Sequence, residues 1–308
     1  MKDIFHQSGK LLMKYLLCRP RGGLNDTLCQ IEKCWQYAET HNRILIIDTE
    51  YLVAGGIGIE FSKLFCLIQC NQSIHLKLTP TLLENLNSLS TYPHSCSGRL
   101  NLYKVRYDAG CRNYKDTDNG IQLTFNFNEI YTEELLIHDQ CGGGLIGTNC
   151  LARLRLTDKF KQDVLNLLTP LIEKKYLAIM IRNTDYKTDY KPIFNEIYEK
   201  SINQRLLICS DSIEVQNYAK IFFDKSELIT LGIPPDTGGM GLASFARLHC
   251  NDGQRYELMV KAVADLMGMA NATESIFTRL TSNRFSGFAL LAGSLRKNPS
   301  VVNQLLTS

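Results

Sequence analysis

The sequence predicts an α/β protein in which two doubly wound halves face each other across a cleft. Short apolar runs alternate with amphipathic helical segments throughout the chain, which is typical of parallel sheets covered by helices. The runs at 14–20, 43–49 and 177–181 are apolar at most positions, as expected for strands that are buried on both faces. Some runs end abruptly in polar residues, and open α/β sheets bind ligands at such strand ends.

Composition and charge exclude several classes of protein. The chain has 308 residues, of which 44% are hydrophobic and 21% charged, so we expect one large or two medium globular domains. The net charge of +3 is small, and no basic run is interleaved with aromatics, which argues against nucleic-acid binding. No segment approaches the roughly 18 apolar residues of a membrane span. Asp3, His6 and Lys14 interrupt any signal-peptide pattern. We therefore expect a cytoplasmic protein, with at most peripheral attachment to the inner face of the membrane.

The eleven cysteines are scattered along the chain and include no CxxC pair. Cys66 and Cys70 are four residues apart, but no second Cys or His pair completes a tetrahedral zinc site. The six histidines do not cluster with acidic residues at metal-binding spacings. We therefore expect buried, reduced thiols and no bound metal.

The N-terminal half is assigned to residues 1–150. It opens with a βαβ unit in which a Gly-rich turn joins a strand at 14–20 to a helix at 27–41. In that helix one face carries the apolar side chains of Leu28, Ile31, Trp35 and Ala38. Further along, the polar and aromatic segment 92–118 predicts a long surface excursion, and a strand at 134–139 then leads into a glycine-rich turn.

The C-terminal half is assigned to residues 151–308. Strands and helices alternate more regularly here, and we expect the last helix to pack back onto the N-terminal half. The predicted elements are a helix at 157–174, strands at 177–181, 205–211 and 227–231, helices at 190–202, 213–223 and 254–268, and broken helix at 282–306.

The most informative motif is the buried strand at 177–181, which ends in Arg182, Asn183, Thr184 and Asp185. An Arg at the carboxyl end of a strand can offer a fixed, two-pronged donor to a phosphate. Asp185 could accept a proton or hold a sugar hydroxyl. The alternative is an Arg–Asp ion pair that only ties down a loop.

Three other strand or helix ends carry candidate ligand-binding residues, each with a structural alternative. Gly22, Gly23 and Asn25 precede a helix N-terminus, which favours an anion, or they form a simple turn. Ser210 and Asp211 end a strand, and they could face a ligand or cap the next helix. The third set, interpreted as the start of a new helix that suits phosphate or forms a capping box, comprises Thr273, Ser275 and Arg279.

The glycines at 142, 144 and 147 follow a strand and match the dinucleotide fingerprint in bare spelling. No clear helix follows at once, and the expected acidic residue falls inside a helix instead of at the end of a strand. A glycine turn that permits close backbone approach is an alternative to an NAD site.

Together these motifs resemble those of the α1,6-fucosyltransferases and of the α1,2- and protein O-fucosyltransferases. Ile179 to Tyr186 resembles the H-x-R-R-T-D-K motif of that superfamily, and Leu207 to Asp211 is similar to its Ser-Asp-Asp strand end. Ala264-Asp265 followed by Ser275 to Arg279 looks like its third motif, and the Gly22 loop resembles its N-terminal one. The four motifs occur in the superfamily's order.

The resemblance implies a GT-B fold of two Rossmann-like domains, with the acceptor on the N-terminal side and the nucleotide sugar on the C-terminal side. It implies inverting, metal-independent transfer, in which Arg182, assisted by Arg279 and Ser275, neutralises the leaving diphosphate. Inversion needs a base on the acceptor hydroxyl, for which Asp185 is the first candidate and Asp189 the second. The donor would also contact Gly22, Gly23, Asn25, Asn183, Ser210, Asp211 and Thr273.

The sequence departs from the superfamily pattern at three positions. Met180 stands where the family has a His that touches guanine, Asn183 replaces the second Arg, and Tyr186 replaces a Lys. We therefore expect a glycosyltransferase of surface polysaccharide synthesis, with GDP-fucose as the leading donor, a glycan or lipid-linked glycan as the acceptor, and no cofactor. The alternatives are a non-catalytic nucleotide- or glycan-binding protein of the same fold and an NAD-dependent enzyme.

Overall fold

The computed structural model of the protein describes residues 13–50, 56–69 and 73–307. The residues before Met13, for which the sequence predicts no signal peptide, lie outside these ranges. Cys70 also lies outside them. The described strands are β1 (Lys14–Cys18), β2 (Arg43–Ile47), β3 (Phe65–Leu67), β4 (Ile74–His75), β5 (Thr91–Tyr92), β6 (Val105–Asp108), β7 (Asn113–Asp116), β8 (Leu135–His138), β9 (Leu154–Leu156), β10 (Leu177–Ile181), β11 (Arg205–Ser210), β12 (Glu227–Ile229) and β13 (Glu274–Phe277).

Helices follow most of the strands, and none of those in the described ranges is long and apolar enough to cross a bilayer. They are α1 (Leu24–Thr40), α2 (Phe61–Leu64), α3 (Pro80–Asn87), α4 (Gly147–Leu151), α5 (Asp158–Leu168), α6 (Tyr190–Ser201), α7 (Ile213–Phe222), α8 (Leu242–His249), α9 (Asp252–Asn271), α10 (Gly287–Lys297) and α11 (Pro299–Leu306).

Each half of the chain contains one parallel sheet, as the sequence predicts. The N-terminal sheet has the order β4-β2-β1-β8-β5, and the C-terminal sheet has the order β12-β11-β10-β13. All pairings within the two sheets are parallel. Because the carboxyl ends of parallel strands share one edge, polar residues that follow different strands are brought together there. The prediction of two doubly wound α/β halves is confirmed.

Helix α1 shows how the apolar pattern positions an element. Its predicted inward face is buried in full, and the side chains that form it are those of Leu28, Ile31, Trp35 and Ala38. The helix begins at Leu24, three residues earlier than predicted, with Gly23 in an extended conformation as its N-cap. The Gly-rich turn is therefore tighter than the sequence suggests, and the first turn of α1 lies at the carboxyl edge of the sheet.

The interpretation of residues 92–118 as a surface excursion is wrong in part. Strands β6 and β7 form an antiparallel hairpin in this segment. Leu100, Tyr103 and Val105 are buried and join Leu17 and Ile137 in a hydrophobic cluster on one face of the N-terminal sheet. The segment reads as polar because its apolar side chains are few and irregularly spaced, so no periodic pattern reveals their burial.

The two halves share one continuous hydrophobic core, which runs from β1 to α11. Helix α11 lies against β9 and α4, and the Gln304 side-chain amide donates to the carbonyl oxygens of Leu151 and Leu154 at 3.3 and 2.8 Å. The chain thus returns to the junction between the halves after completing the C-terminal sheet. The domain boundary at residues 150 and 151 stays a prediction.

A buried network of charges lies at the carboxyl edge of the N-terminal sheet. Arg21 donates through Nε and Nη2 to the two oxygens of Asp139 at 2.5 and 2.6 Å, and both side chains are almost inaccessible to solvent. Arg19 pairs with Asp48 at 2.8 Å, and the Tyr103 hydroxyl, which accepts from Arg19, donates to Asp139 at 3.0 Å. The network ties the ends of β1, β2 and β8 to the segment before the hairpin.

We expect Asp139→Asn to lower the free energy of unfolding by about 3–5 kcal/mol, because a buried arginine then loses its charged partner. The measurement is urea denaturation followed by circular dichroism. Glu274→Gln is the matched control, since it breaks the exposed Lys200–Glu274 pair at 2.5 Å and should change stability little. Equal stability losses in the two variants would contradict a special role for the buried pair.

Candidate functional site

Arg182 lies at the carboxyl edge of the C-terminal sheet, directly after β10. The register pairs Ile181 with Ser210, so the residues that follow, Arg182 and Asp211, emerge side by side. Arg182 Nη2 donates to Asp185 Oδ1 at 2.6 Å, and its Nε lies 3.3 Å from Asp211 Oδ2. The side chain is 23% exposed, and its buried Nε makes no hydrogen bond with the described residues. Two carboxylates therefore orient the guanidinium while part of it stays available to a ligand.

Asp211 holds the segment after β10 in place. Its carboxylate accepts hydrogen bonds from the backbone N–H of Asn183 at 2.8 Å and from the Thr184 hydroxyl at 2.6 Å. Ser212, instead of Asp211, caps α7 by accepting from the Val215 backbone N–H at 3.5 Å. Asp211 is thus a positioning residue for the Arg182 segment. The sequence allows two other roles for it, which are a ligand contact and a helix cap.

The two candidate bases occupy different environments. Asp185 accepts hydrogen bonds from Arg182, from the Thr184 hydroxyl at 3.1 Å and from the Tyr186 backbone N–H at 3.1 Å. All three reach Oδ1, so this oxygen is occupied by contacts within the protein. Asp189 is exposed at the start of α6, and its side chain makes no hydrogen bond or ion pair within the part of the chain that the structure describes. The free carboxylate of this loop is therefore that of Asp189.

Beside Arg182 lies a cavity of about 80 Å³, which Met180, Ser210 and Asp211 also line. Lys261 and Asp265 of α9 form its floor as a buried ion pair, with Nζ and Oδ2 2.6 Å apart. Burial works against the Lys261 ammonium, but the charge and the hydrogen bond of Asp265, together with Cys209 and Asp211, act in the opposite direction, and on balance the pKa of Lys261 is raised. The second oxygen of Asp265, Oδ1, is buried and has no hydrogen-bond partner among the described residues. Such an oxygen is available to a donor group of a ligand.

Sequence reasoning did not select Lys261, and it named Asp265 only as part of the third motif that resembles the superfamily. Their signal is nonetheless present, because an oppositely charged pair four residues apart interrupts the apolar face of a long helix. Charged side chains are rarely buried unless they are paired or have a ligand.

The predicted Gly22 loop lies at the carboxyl edge of the N-terminal sheet, and an acidic residue, Asp26, packs against it. Gly22 has φ +99°, and a Cβ atom there would meet Asp26 Cβ at 2.8 Å, so only glycine fits. Burial raises the pKa of Asp26, while the backbone N–H groups of Gly23 and Gly142 and the charge of Arg182 act in the opposite direction. Asp26, in the first turn of α1, is therefore close enough to Arg182 for the two charges to interact.

Asn25, predicted to contact the donor, is buried and packs within the protein. Its Nδ2 donates to the Gly144 carbonyl at 3.1 Å, and a Cβ atom on Gly147 or Gly287 would lie 2.8 or 3.3 Å from its amide atoms. Asn25 thus joins α1, the 142–147 turn and the start of α10. The structure gives it a packing role and leaves no open side for a ligand.

The glycines at 142–147 also pack against α1, which argues against a dinucleotide site. A Cβ atom on Gly143 would lie 3.0 Å from Asn25 Nδ2, and the Gly142 carbonyl accepts from the Gln30 side chain. The helix that follows, α4, has only five residues. The glycines allow two protein segments to approach each other closely. This is the alternative to a pyrophosphate site that the sequence left open.

The prediction that Thr273, Ser275 and Arg279 open a helix is wrong. Residues Glu274–Phe277 form strand β13, which pairs in parallel with β10 so that Ser275 lies level with Ala178. Thr273 therefore precedes the strand at the amino edge, and the Ser275 hydroxyl donates to the Met269 carbonyl at 2.5 Å. Both lie away from Arg182, because the short strand carries them to the opposite edge of the sheet.

Arg279 follows β13 at the carboxyl edge, the position from which it could assist Arg182 as predicted. Its guanidinium, however, already has partners within the protein. Its Nη1 donates to the Asn283 carbonyl at 3.0 Å, and its guanidinium carbon lies 4.5 Å from the centre of the Phe285 ring. Thr278, which sequence reasoning did not select, donates to the Met180 carbonyl at 2.7 Å. Helix α10 begins beside it, with Ser286 as N-cap and in contact with Met180 Sδ at 3.9 Å.

No group of three or more His, Cys, Asp or Glu side chains in the described residues is arranged to hold a metal ion. The positive charges at the cleft are instead those of Arg182, Arg279 and the ion-paired Lys261, together with the N-termini of α1 and α10, which carry partial positive charge. The arrangement can hold an anion such as a diphosphate next to a small, partly polar cavity.

Comparison with solved structures identifies the fold. A structure described as fucosyltransferase NodZ from Bradyrhizobium aligns with a TM-score of 0.58 over 91% of this chain and 93% of that chain, at 13% sequence identity. NodZ alpha-1,6-fucosyltransferase co-crystallized with GDP gives a TM-score of 0.58 over 91% and 92%, at 14% identity. The same enzyme soaked with GDP-fucose gives 0.57 over 92% of both chains, at 15% identity.

The fold is that of the NodZ fucosyltransferases. It is the GT-B arrangement that the sequence motifs imply, and it extends over almost the whole of both chains. No protein-family model and no curated protein matches the sequence.

Proposed function

We propose that the protein is an inverting, metal-independent glycosyltransferase that uses a nucleoside diphosphate sugar as its donor. The observation that carries the proposal is the Arg182 guanidinium, which Asp185 and Asp211 hold at the carboxyl edge of the sheet beside a cavity. A leaving diphosphate gains negative charge as the glycosidic bond breaks, and a preorganised cation stabilises that charge without a metal. The NodZ-like GT-B fold supports the proposal.

The donor would lie on the C-terminal half, with its diphosphate on Arg182 and its base in the adjoining cavity. Lys261 can donate to a carbonyl oxygen or ring nitrogen, while Asp265 Oδ1 can accept from an N–H of the same base. Ser210 lines the cavity, and Asn183 lies next to Arg182. Met180 presents an apolar side chain to the cavity, where it can pack on a planar ring.

Fucose is the sugar that the structural neighbours favour, since their descriptions name fucosyltransferases with GDP and GDP-fucose. We accordingly propose GDP-fucose as the first donor to test. The acceptor would be a glycan or a lipid-linked glycan of surface polysaccharide synthesis, handled in the cytoplasm or at the inner face of the membrane. An acceptor bound on the N-terminal half would reach the donor across the cleft.

The structure supports a division of labour between the two candidate bases. Asp185 is bonded to Arg182 and to its own loop, so its effect on the reaction would pass through the position of the guanidinium. Asp189 lies four residues later, is exposed and has no partner in the described ranges. We therefore propose Asp189 as the group that takes the proton from the acceptor hydroxyl and Asp185 as a positioning residue.

Replacing Arg182 with Ala should lower kcat/KM for donor hydrolysis by about 10²–10³-fold, because the charged contact to the leaving diphosphate is lost. The measurement is release of GDP from GDP-fucose, together with the shift in melting temperature caused by GDP. Arg205→Ala is the matched control, since Arg205 lies at the amino end of the neighbouring strand. Unchanged kinetics in a folded Arg182→Ala variant would refute the assignment of Arg182.

Replacing Asp189 with Asn should lower the rate of transfer by about 10²–10⁴-fold, the usual contribution of a general base. The thermal shift with GDP should stay unchanged, because the base contacts the acceptor and not the nucleotide. Asp158→Asn, at the exposed start of α5, is the control and should transfer at the wild-type rate. Normal transfer by Asp189→Asn, combined with a loss of transfer in Asp185→Asn, would assign the role of general base to Asp185 instead.

Activity should be retained in full after dialysis against EDTA, since the proposed mechanism neutralises the diphosphate with arginine. The assay is donor hydrolysis before and after chelation, with added Mg²⁺ and Mn²⁺ as separate arms. A strict requirement for either ion would contradict the proposed mechanism.

A non-catalytic nucleotide- or glycan-binding protein is the second candidate, and the departures from the superfamily motif at Met180 and Asn183 favour it. Such a protein would show the GDP-dependent thermal shift and its loss in Arg182→Ala, but no release of GDP from any nucleotide sugar. Turnover that depends on Arg182 would exclude it.

A further inference from the structure

The ion pair at the floor of the donor cavity is held in one fixed position. Lys261 and Asp265 are one helical turn apart on α9, their side chains are 11% and 7% exposed, and Nζ lies 2.6 Å from Oδ2. Lys261 Nζ also donates to the Ser210 carbonyl at 3.4 Å. The stem of the lysine packs on Gly232, where a Cβ atom would lie 3.6 Å from Lys261 Cδ. The pair is therefore part of the cavity before a ligand enters.

This pair leaves one hydrogen-bond donor and one acceptor for a ligand. An ammonium has three N–H groups, and the contacts of Lys261 with Asp265 and Ser210 use two of them. Of the two oxygens of Asp265, Oδ2 is taken by the lysine, whereas Oδ1 is buried and has no hydrogen-bond partner within the described residues. A ligand can therefore accept from Lys261 and donate to Asp265 Oδ1.

The other side chains around the cavity add no free buried acceptor. The walls are mainly apolar and include Met180, Pro234, Leu242, Leu258, Ala262 and Phe288. The Ser210 hydroxyl accepts from the Ser212 backbone N–H at 3.1 Å, and the Cys209 thiol donates to the Asp265 main-chain carbonyl at 3.8 Å. Among the described residues that line the cavity, Asp265 Oδ1 is the one buried side-chain oxygen without a hydrogen-bond partner. Polar recognition of a base in this cavity therefore depends on the floor.

The engaged oxygen of Asp265 limits which groups of a purine can be recognised. Guanine presents a carbonyl oxygen, a ring N–H and an exocyclic amino group along one edge, and hypoxanthine differs only by lacking the amino group. A carboxylate with both oxygens free can accept from the ring N–H and the amino group side by side. Here a second donor at Oδ2 would meet the Lys261 ammonium at close range. The carbonyl and the ring N–H have partners at the floor, but the amino group has none.

We propose that Lys261 is a specificity-determining residue, which makes the donor site accept guanosine and inosine diphosphates equally. Its ammonium binds the carbonyl oxygen of the base and occupies Asp265 Oδ2, so that the exocyclic amino group of guanine is not recognised. This inference rests on the proposed use of a nucleoside diphosphate sugar and adds the class of base, an oxopurine with or without the amino group.

The test is isothermal titration of the full wild-type chain with GDP and with IDP. We expect the two dissociation constants to agree within about threefold, because the groups that the floor binds are common to both bases. A carboxylate that accepted from the amino group would make GDP bind about tenfold or more tightly than IDP. That preference in the wild type would overturn the proposal.

Replacing Lys261 with Met removes the ammonium, keeps most of the apolar stem and frees Asp265 Oδ2. GDP should then bind about tenfold more tightly than IDP, because the freed oxygen can accept from the amino group. Lys159→Met is the matched control, since Lys159 pairs with Asp163 at the same spacing, at 2.8 Å, outside the residues that line the donor cavity. Its two affinities should stay equal. Equal affinities in a folded Lys261→Met variant would overturn the role of Lys261.

Asp265→Asn tests the acceptor and does not depend on the folding of Lys261→Met. An amide can still accept from Lys261 but presents N–H groups where Oδ1 stands, so the ring N–H of the base loses its acceptor. GDP and IDP should weaken to the same extent, by about tenfold or more. A larger loss for GDP than for IDP would overturn the proposal, because it would show that Asp265 binds the amino group.

Hydrolysis of GDP-fucose by the wild type separates this inference from the proposed function. Hydrolysis together with a strong preference for GDP over IDP would overturn the inference and leave the glycosyltransferase standing. Equal binding of GDP and IDP without hydrolysis would support the inference and contradict the glycosyltransferase. Absence of both binding and hydrolysis would overturn both.

Discussion

At the carboxyl edge of the C-terminal sheet, the Asp211 carboxylate accepts hydrogen bonds from the Asn183 backbone and from the Thr184 hydroxyl, and it lies beside Arg182 Nε. The geometry of the site depends on this set of contacts. A loop that follows a strand has no sheet partner for its backbone, so an acceptor from the neighbouring strand supplies one. The parallel register of β10 and β11 places that acceptor within reach.

The consequence is a guanidinium whose orientation is set before any ligand binds. A long side chain loses conformational freedom on binding, and fixing it in advance reduces that entropic cost. The same principle extends to Asp185, which bonds Arg182 and abuts Gly241, so that one loop position affects both the phosphate contact and the start of α8. The phosphate contact and the start of α8 are thus linked through the carboxylate of Asp185.

The sequence was sufficient to predict the sheets and the Arg182 segment because these depend on local patterns. Buried parallel strands are apolar at most positions, and the polar residues that follow them mark the functional edge. It failed at Thr273 and Ser275, where a four-residue strand with a Glu at its start resembles a capping box. There, pairing with β10 outweighs local preference.

Other features of the site are tertiary and leave little trace in the sequence. The charge of Arg182 acts on the pKa of Asp26 only because two separate sheets are brought together. The hairpin itself is held by the Asn113 side chain and by buried residues such as Tyr103, none of which forms a periodic pattern. Spacing alone cannot indicate contacts between residues more than a hundred positions apart.

The return of α11 to the junction between the halves has a consequence for synthesis. The hydrophobic core is continuous, and Gln304 bonds the backbone of Leu151 and Leu154. During translation, the N-terminal sheet leaves the ribosome long before the helices that cover part of its core. N-terminal regions commonly fold first as independent units, but part of the apolar surface of this one is covered only after α10 and α11 have been made. A nascent chain stalled after β13 would therefore expose the apolar surfaces of α1, α4 and α9 that α10 and α11 otherwise cover.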